Sequence, residues 1–245
     1  MVPEAASRGH TAHLWLLLPA AALAALWLAW RCLAAVDFLY PVFYDTIGVH
    51  GHIQQFAPQN RYKRGFEDTT PEERARLFAA IVDAVHRSGE GLEELVYHDP
   101  GGHPVDRLLR PPEVGHLRDV ARLLDRVLPV GALAMAWFVV HLLLIRRVGW
   151  RLPRLRRLLG RSLAVVAAGV AVVLLIGPRR VFGWAHDLVF PPDHPWFFYY
   201  QDSLMSTFMM APYLFGAIAA VMLPLALLFY AALLWVAGRA AGQPA

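Results

Sequence analysis

Apolar residues gather along this chain in four long runs, at 13–35, 127–145, 161–178 and 208–237, separated by stretches rich in charge, proline and glycine. Each run approaches or exceeds the roughly 20 residues a helix needs to cross a hydrocarbon core, so the pattern predicts four membrane-spanning helices. The third is the shortest, uninterrupted only from Leu163 to Gly177, and must extend toward Arg161 or Trp184 or cross where the bilayer is thin. The first ends in Leu33-Ala-Ala35, which looks like a signal-peptide cleavage site, but its apolar run is longer than a signal peptide's and predicts an uncleaved anchor.

The polar stretch 36–126 has a shorter-range pattern. Asp37-Phe-Leu-Tyr-Pro41 and the segment through His50-Gly-His52 predict irregular or short-strand structure whose aromatics belong to the interfacial belt. Thr70 is placed as an N-cap, with Pro71 in the first turn and Glu73 completing a capping box; Leu77, Ile81 and Val85 then mark one face of a helix ending near Gly89. Tyr97-His-Asp-Pro-Gly-Gly-His103 predicts a turn between two short extended pieces, Leu95–Tyr97 and Val105–Leu109. After Pro111-Pro112, the stripe Val114, Leu117, Val120, Leu124 and Val127 predicts an amphipathic helix leading into the second span. The expected fold class is therefore all-α membrane: one transmembrane domain of four helices over 1–245, carrying a small mixed α/β extracytoplasmic cap.

Charge orients that domain. The loop 146–161 holds Arg146, Arg147, Arg151, Arg154, Arg156, Arg157 and Arg161 with no acidic residue, which predicts a cytoplasmic loop. Both termini then lie in the cytoplasm, and 36–126 and 179–207 are extracytoplasmic. The first of these carries 15 acids against 11 bases, so the pI near 9.5 reflects topology and predicts no nucleic-acid partner. A hydrophobic content of 57% and a mean hydropathy of +0.41 exclude an ordinary soluble domain. Cys32 is the only cysteine, so no disulfide forms within the chain; it is expected to be a buried thiol.

Eight of the eleven histidines (His50, His52, His86, His98, His103, His116, His186 and His194) fall on the outer side in this topology. Their loose pairing lacks the spacing of a metal site, and no metal or other cofactor is expected. No Gly-x-Ser-x-Gly elbow is present, and Ser203 and Ser206 are read as helix caps or packing residues. His141, near the inner end of span two and Arg146, is read as an interfacial group. Two histidines stand beside spans. His116 shares a helix row with Glu113 and Asp119, each step drifting only about 60° around the axis, so either carboxylate can reach its imidazole. His186 lies in Phe182-Gly-Trp-Ala-His-Asp-Leu-Val-Phe190 ahead of span four. An imidazole with a pKa near 6.5 can take or give a proton at neutral pH, which suits acid/base work on a lipid.

Glu113-Val-Gly-His116-Leu-Arg-Asp119-Val120, the His186 segment followed by Asp193 and Trp196, and Asp202-Ser-Leu-Met205 together resemble the motifs of the lipoprotein intramolecular transacylase family of four-span bacterial membrane proteins. Ala185 stands where that family often has an aromatic residue, and Phe208-Met-Met210 replaces its common Phe-Pro-Glu. The resemblance implies an acyltransferase that moves the sn-2 acyl chain of a diacylglyceryl-cysteine onto the cysteine's own α-amine, giving a lyso-form lipoprotein. It implies catalytic roles for His116 and His186, support from Glu113, Asp119, Asp193 and Trp196, and a site on the outer face of the bacterial cytoplasmic membrane. The implied partners are the lipidated N-terminus of lipoproteins and membrane phospholipid, whose head groups Arg179 and Arg180 are placed to hold. Two other classes fit the outer histidines: a non-enzymatic metal or stress sensor of the envelope, and a lipid ester hydrolase.

The arginine-rich loop generates a test of orientation. Single cysteines introduced near Arg154 should react with impermeant thiol reagents only from the cytoplasmic side, and those at Gly102 or Asp193 only from outside; the reverse labelling pattern would invert the topology.

Overall fold

The structure is a computed structural model that describes residues 13–243. The two chain ends, assigned by sequence to the cytoplasm, lie outside the described residues. In chain order the elements are α1 (Leu14–Ala34), α2 (Tyr40–Thr46), α3 (Val49–Phe56), α4 (Pro71–Val85), β1 (Val96–His98), β2 (Pro104–Arg107), α5 (Pro111–Val148), α6 (Leu155–Ile176), α7 (Pro178–Val189), α8 (Leu204–Phe208) and α9 (Tyr213–Ala240), with short 3-10 turns between some of them. Helices α1, α5, α6 and α9 are long and apolar enough to cross a membrane, with 18-residue stretches of mean hydropathy 1.8, 2.2, 2.3 and 2.5. Among the described residues the fold is thus all-α with four candidate spans and one two-stranded antiparallel sheet, β1 paired with β2.

Boundaries move for local reasons. The amphipathic helix and the second span are one continuous α5. The short third run gains its length on the arginine side, where α6 begins at Leu155. The fourth span starts at Tyr213 because residues 204–208 form the separate α8, whose N-cap Ser203 accepts a hydrogen bond from Ser206 N at 2.9 Å. The predicted N-cap Thr70 accepts from Glu73 N at 3.2 Å, and α4 follows as expected.

The chain forms two compact units. One comprises the chain through Cys32, Val127–Pro178 and the chain from Val221 onward. Leu17, Ala21 and Ala25 of α1 are buried with Phe138 and Ile145 of α5 and with Leu234 and Ala237 of α9. Small residues at fourfold spacing let helix backbones approach closely, which is how helices gain packing where lipid removes the hydrophobic drive. At Gly131 the approach is closest: a Cβ there would sit 2.5 Å from Trp27 Cβ. His141 belongs to this unit. It is buried, its Nε2 lies 3.3 Å from His13 Nδ1, and the Trp150 ring stacks on His13 at 4.7 Å. Cys32 departs from the buried reading and is exposed on its helix.

The other unit comprises Leu33–Arg126 and Arg179–Ala220. The segment expected to be irregular is helical, as α2 and α3, and its aromatics are core residues: Tyr40, Phe43 and Tyr44 are all buried. Tyr40 stacks on Phe78 at 4.3 Å and donates to Phe208 O at 3.0 Å. At the centre lies Arg74, with no exposed surface and no carboxylate partner among the described residues. Its guanidinium donates to Thr69 Oγ1, Tyr44 OH, Glu67 O and Phe66 O, with His50 Nδ1 at 3.3 Å, so the loop 66–70 and helices α2–α4 converge on one cation. Periodicity is blind to such a residue, because a charged side chain breaks the apolar stripe that its own helix buries.

The Gly131 contact yields a prediction. Because the clashing atom is a rigid Cβ, Gly131→Ala should force α1 and α5 apart and cost about 1–3 kcal/mol, the usual range for overpacking. A thermal shift of the detergent-solubilised protein reads this, and an unchanged midpoint would contradict the close approach.

Candidate active site

Within the second unit, the His116 and His186 rings lie side by side, centroids 6.3 Å apart and planes at 32°. Continuous α5 carries His116 in its polar first turns, ahead of the apolar span. Gly177 ends α6 with φ +100, and α7 starts one residue later at Pro178, which brings His186 into the same unit.

Aromatic rings wall the pair. Phe190 lies 5.1 Å from His116 and 5.3 Å from His186, Phe198 lies 6.2 Å from His116, and Phe182 and Trp196 lie 3.9 and 4.7 Å from His186. Trp196 is held by a hydrogen bond from its Nε1 to Asp187 Oδ1 at 3.1 Å. His186 Nδ1–H donates to the Phe182 carbonyl one turn earlier at 2.8 Å, since a carbonyl can only accept. That bond fixes the tautomer and leaves the Nε2 lone pair pointing away from the helix backbone. Burial chiefly, then the neighbouring His186, push the pKa of His116 down from 6.5 to about 4, against a smaller upward pull from Asp119. His116 is therefore a neutral imidazole at physiological pH.

The carboxylates do not serve His116 in the expected way. No hydrogen bond joins His116 to any described residue. Glu113, wholly buried, instead accepts from Arg110 N at 2.7 Å, Ser203 Oγ at 2.5 Å and Met205 N at 3.3 Å. Its reach back to Arg110 N is the glutamate half of a capping box at the start of α5, so its position three residues before His116 reflects helix initiation. Asp119 Oδ1 accepts from Arg122 at 2.9 Å and Oδ2 from His194 Nδ1 at 2.5 Å. His194, a neighbour of the named Asp193, is thus the one that enters a contact, while Asp193 is exposed. Arg179 stacks over the Tyr213 ring at 5.3 Å and donates to its hydroxyl, and Arg180 is exposed.

Most other outer histidines are engaged locally: His50 with Tyr44 OH, His98 with Glu73, His103 with Asp99, and His52 between Phe56 and Tyr200. Among the described residues no group of three or more His, Cys, Asp or Glu side chains is arranged to hold a metal ion. Of the aromatic wall, sequence reasoning assigned only Trp196; the density of Phe, Tyr and Trp between 182 and 200 was the signal for the rest.

Fold and site together define a four-span membrane protein with an imidazole pair ringed by aromatic side chains. The chain is similar in structure to the membrane integral lipoprotein intramolecular transacylase Lit from Bacillus cereus, solved in meso with one histidine-to-arginine mutation. The TM-score is 0.64 and the identity 16%, over 95% of this chain and 93% of that one. At that identity the likeness establishes the shared fold. No protein-family model matches the sequence, and no curated protein matches it.

The lowered pKa of His116 has a measurable consequence. Between 6.5 and about 4 the unfolded chain binds a proton at this position that the folded protein refuses. The contribution of His116 is therefore fully present above pH 6.5 and declines as pH falls toward 4. Thermal unfolding midpoints should drop across that window, and His116→Phe should flatten the drop; an equal drop in the variant would show that His116 is not depressed.

Proposed function

We propose that this protein is a lipoprotein intramolecular transacylase, moving the sn-2 acyl chain of a diacylglyceryl-cysteine to that cysteine's α-amine. The observation that carries the reading is the His116–His186 pair, 6.3 Å apart and ringed by aromatic side chains. The shared fold with a protein named for this activity adds to it. Amine and ester belong to one molecule, so orientation supplies much of the rate and the protein chiefly moves protons.

The α-amine, with a pKa of about 7.7–8.0, is largely protonated at neutral pH and cannot attack until it loses a proton. The neutral fraction of the amine attacks the ester carbonyl carbon, and His116, itself neutral, accepts the nitrogen's proton as the carbon–nitrogen bond forms and makes that proton acidic. The carbon–oxygen bond to the glycerol sn-2 position then breaks. His186, when protonated, donates to the departing oxygen from Nε2, its Nδ1–H staying on the Phe182 carbonyl. The products are an amide on the cysteine and a free sn-2 hydroxyl, with no acyl-enzyme. Trp196 and the phenyl rings exclude water that would otherwise hydrolyse the ester. In this reading Asp119 and Glu113 build the site's frame, and Arg179 and Arg180 face lipid head-group oxygens. The arginine-rich loop supports a reaction outside the bacterial cytoplasmic membrane, with both termini cytoplasmic. Lipidated lipoprotein N-termini and phospholipid are the partners.

Expression in a bacterium whose lipoproteins are diacylated, followed by mass spectrometry of lipoprotein N-terminal peptides, tests the proposal. The chain should convert them to N-acyl, S-monoacylglyceryl forms. His116→Ala and His186→Ala should each lower the rate roughly 10²–10⁴-fold, as loss of general acid/base groups does. Ser206→Ala should be nearly silent, whereas Ser203→Ala should destabilise the fold through lost contacts to Glu113 and α8. Release of free fatty acid would make the protein a hydrolase, an acyl-enzyme would refute direct attack, and unimpaired conversion in both histidine variants would remove the site assignment.

A further inference from the structure

Residues 191–199 form a strap with no helix or strand, yet they bring Trp196 and Phe198 to the histidine pair. Two side-chain hydrogen bonds leave the strap among the described residues: Trp196 Nε1 to Asp187 at 3.1 Å, and His194 Nδ1 to Asp119 at 2.5 Å. Only the second reaches α5, the helix that carries His116, across 75 residues of sequence. Asp119 has 5% of its side chain exposed, and both its oxygens are committed, one to Arg122 and one to His194. A buried carboxylate tolerates that position only when such donors compensate its lost hydration.

We propose that His194 and Asp119 form a bolt that holds the 191–199 strap closed over the His116–His186 pair, making both of them positioning residues for the reaction proposed above. Pro191, Pro192 and Pro195 each fix a backbone φ, and His194 N donates to Pro191 O at 3.1 Å, so the strap is stiff. Pinning His194 therefore fixes Trp196 two residues on, and with it the ring that packs against His186 at 4.7 Å. The bolt also explains why Asp119 stands one turn from His116 without binding it: its carboxylate is spent on the strap.

The test uses the full chain in nanodiscs of phosphatidylethanolamine and phosphatidylglycerol, with Cys32→Ser and a nitroxide on Phe197→Cys, an exposed strap position. His194→Ala and Asp119→Asn should each convert an ordered spectrum into a mobile one. His194→Asn, whose amide nitrogen occupies nearly the place of Nδ1, should keep it ordered. With a synthetic diacylglyceryl-cysteine lipopeptide, His194→Ala should lower kcat about tenfold, the scale of one lost charge-assisted hydrogen bond. His194→Asn should retain most of the rate. The His194→Ala/Asp119→Asn double variant should be no slower than Asp119→Asn alone, because the two share one interaction. His103→Ala, at the exposed hairpin turn, serves as the indifferent control. A label unmoved by His194→Ala, or losses that multiply in the double variant, overturns the bolt. Should no form turn over the lipopeptide, the proposed reaction fails, and label mobility alone decides the bolt.

Discussion

The Glu113 carboxylate has no exposed surface, and its acceptors are shared between two segments that sequence holds far apart. One oxygen caps the start of α5 through Arg110 N; the other takes Ser203 Oγ and Met205 N at the start of α8. Burial raises its pKa, while the hydrogen bonds and the Arg110 guanidinium at 3.5 Å pull it back. A buried carboxylate stripped of any of these partners costs several kcal/mol, so the sequence that folds here must close this buckle. The Ser203 end of the strap region is thereby fixed to the first turn of the helix that bears His116.

Arg74 does similar work among the helices α2–α4. Its donors meet hydroxyls and carbonyls in place of an opposing charge, and the rings of Tyr44 and Phe66 lie about it at 6.0 and 5.9 Å. Cation–π attraction strengthens as water is excluded, which suits a guanidinium in this setting. The two buried charges divide the labour: Arg74 organises the helices and loops before the β1–β2 hairpin, and Glu113 ties the start of α5 to α8 on the C-terminal side of that hairpin.

Much of the fold was legible because lipid enforces a simple rule. Four apolar runs became four helices, and the cap at Thr70 and the turn at Tyr97–His103 formed as their residues dictate, since both are local. What sequence could not show was partnership at long range. Tyr40 and Tyr44 looked like belt residues because an aromatic in a membrane protein has two apolar homes, and only the fold shows which. His116 and His186 were found by their place beside spans and by family likeness, and the structure sets them adjacent. The contacts expected between His116 and its neighbouring carboxylates do not form, because the helical row Glu113, His116, Asp119 satisfies a spacing argument that competing partners 75 to 92 residues away then overrule. No single-chain periodicity contains that competition.

The hydrogen bond from His186 Nδ1 to the Phe182 carbonyl carries a further consequence. It is a bond across one helical turn, so the protonation pattern of this ring is a property of backbone conformation. Helix α7 has no buried residue to stabilise it, and short helices are marginal on their own in water. Its neighbours and the lipid boundary must therefore keep that turn wound. Unwinding it would release the Nδ1 proton to migrate between the two ring nitrogens, exchanging donor for acceptor at the site. The tautomer of this imidazole thus depends on a dozen-residue helix staying wound.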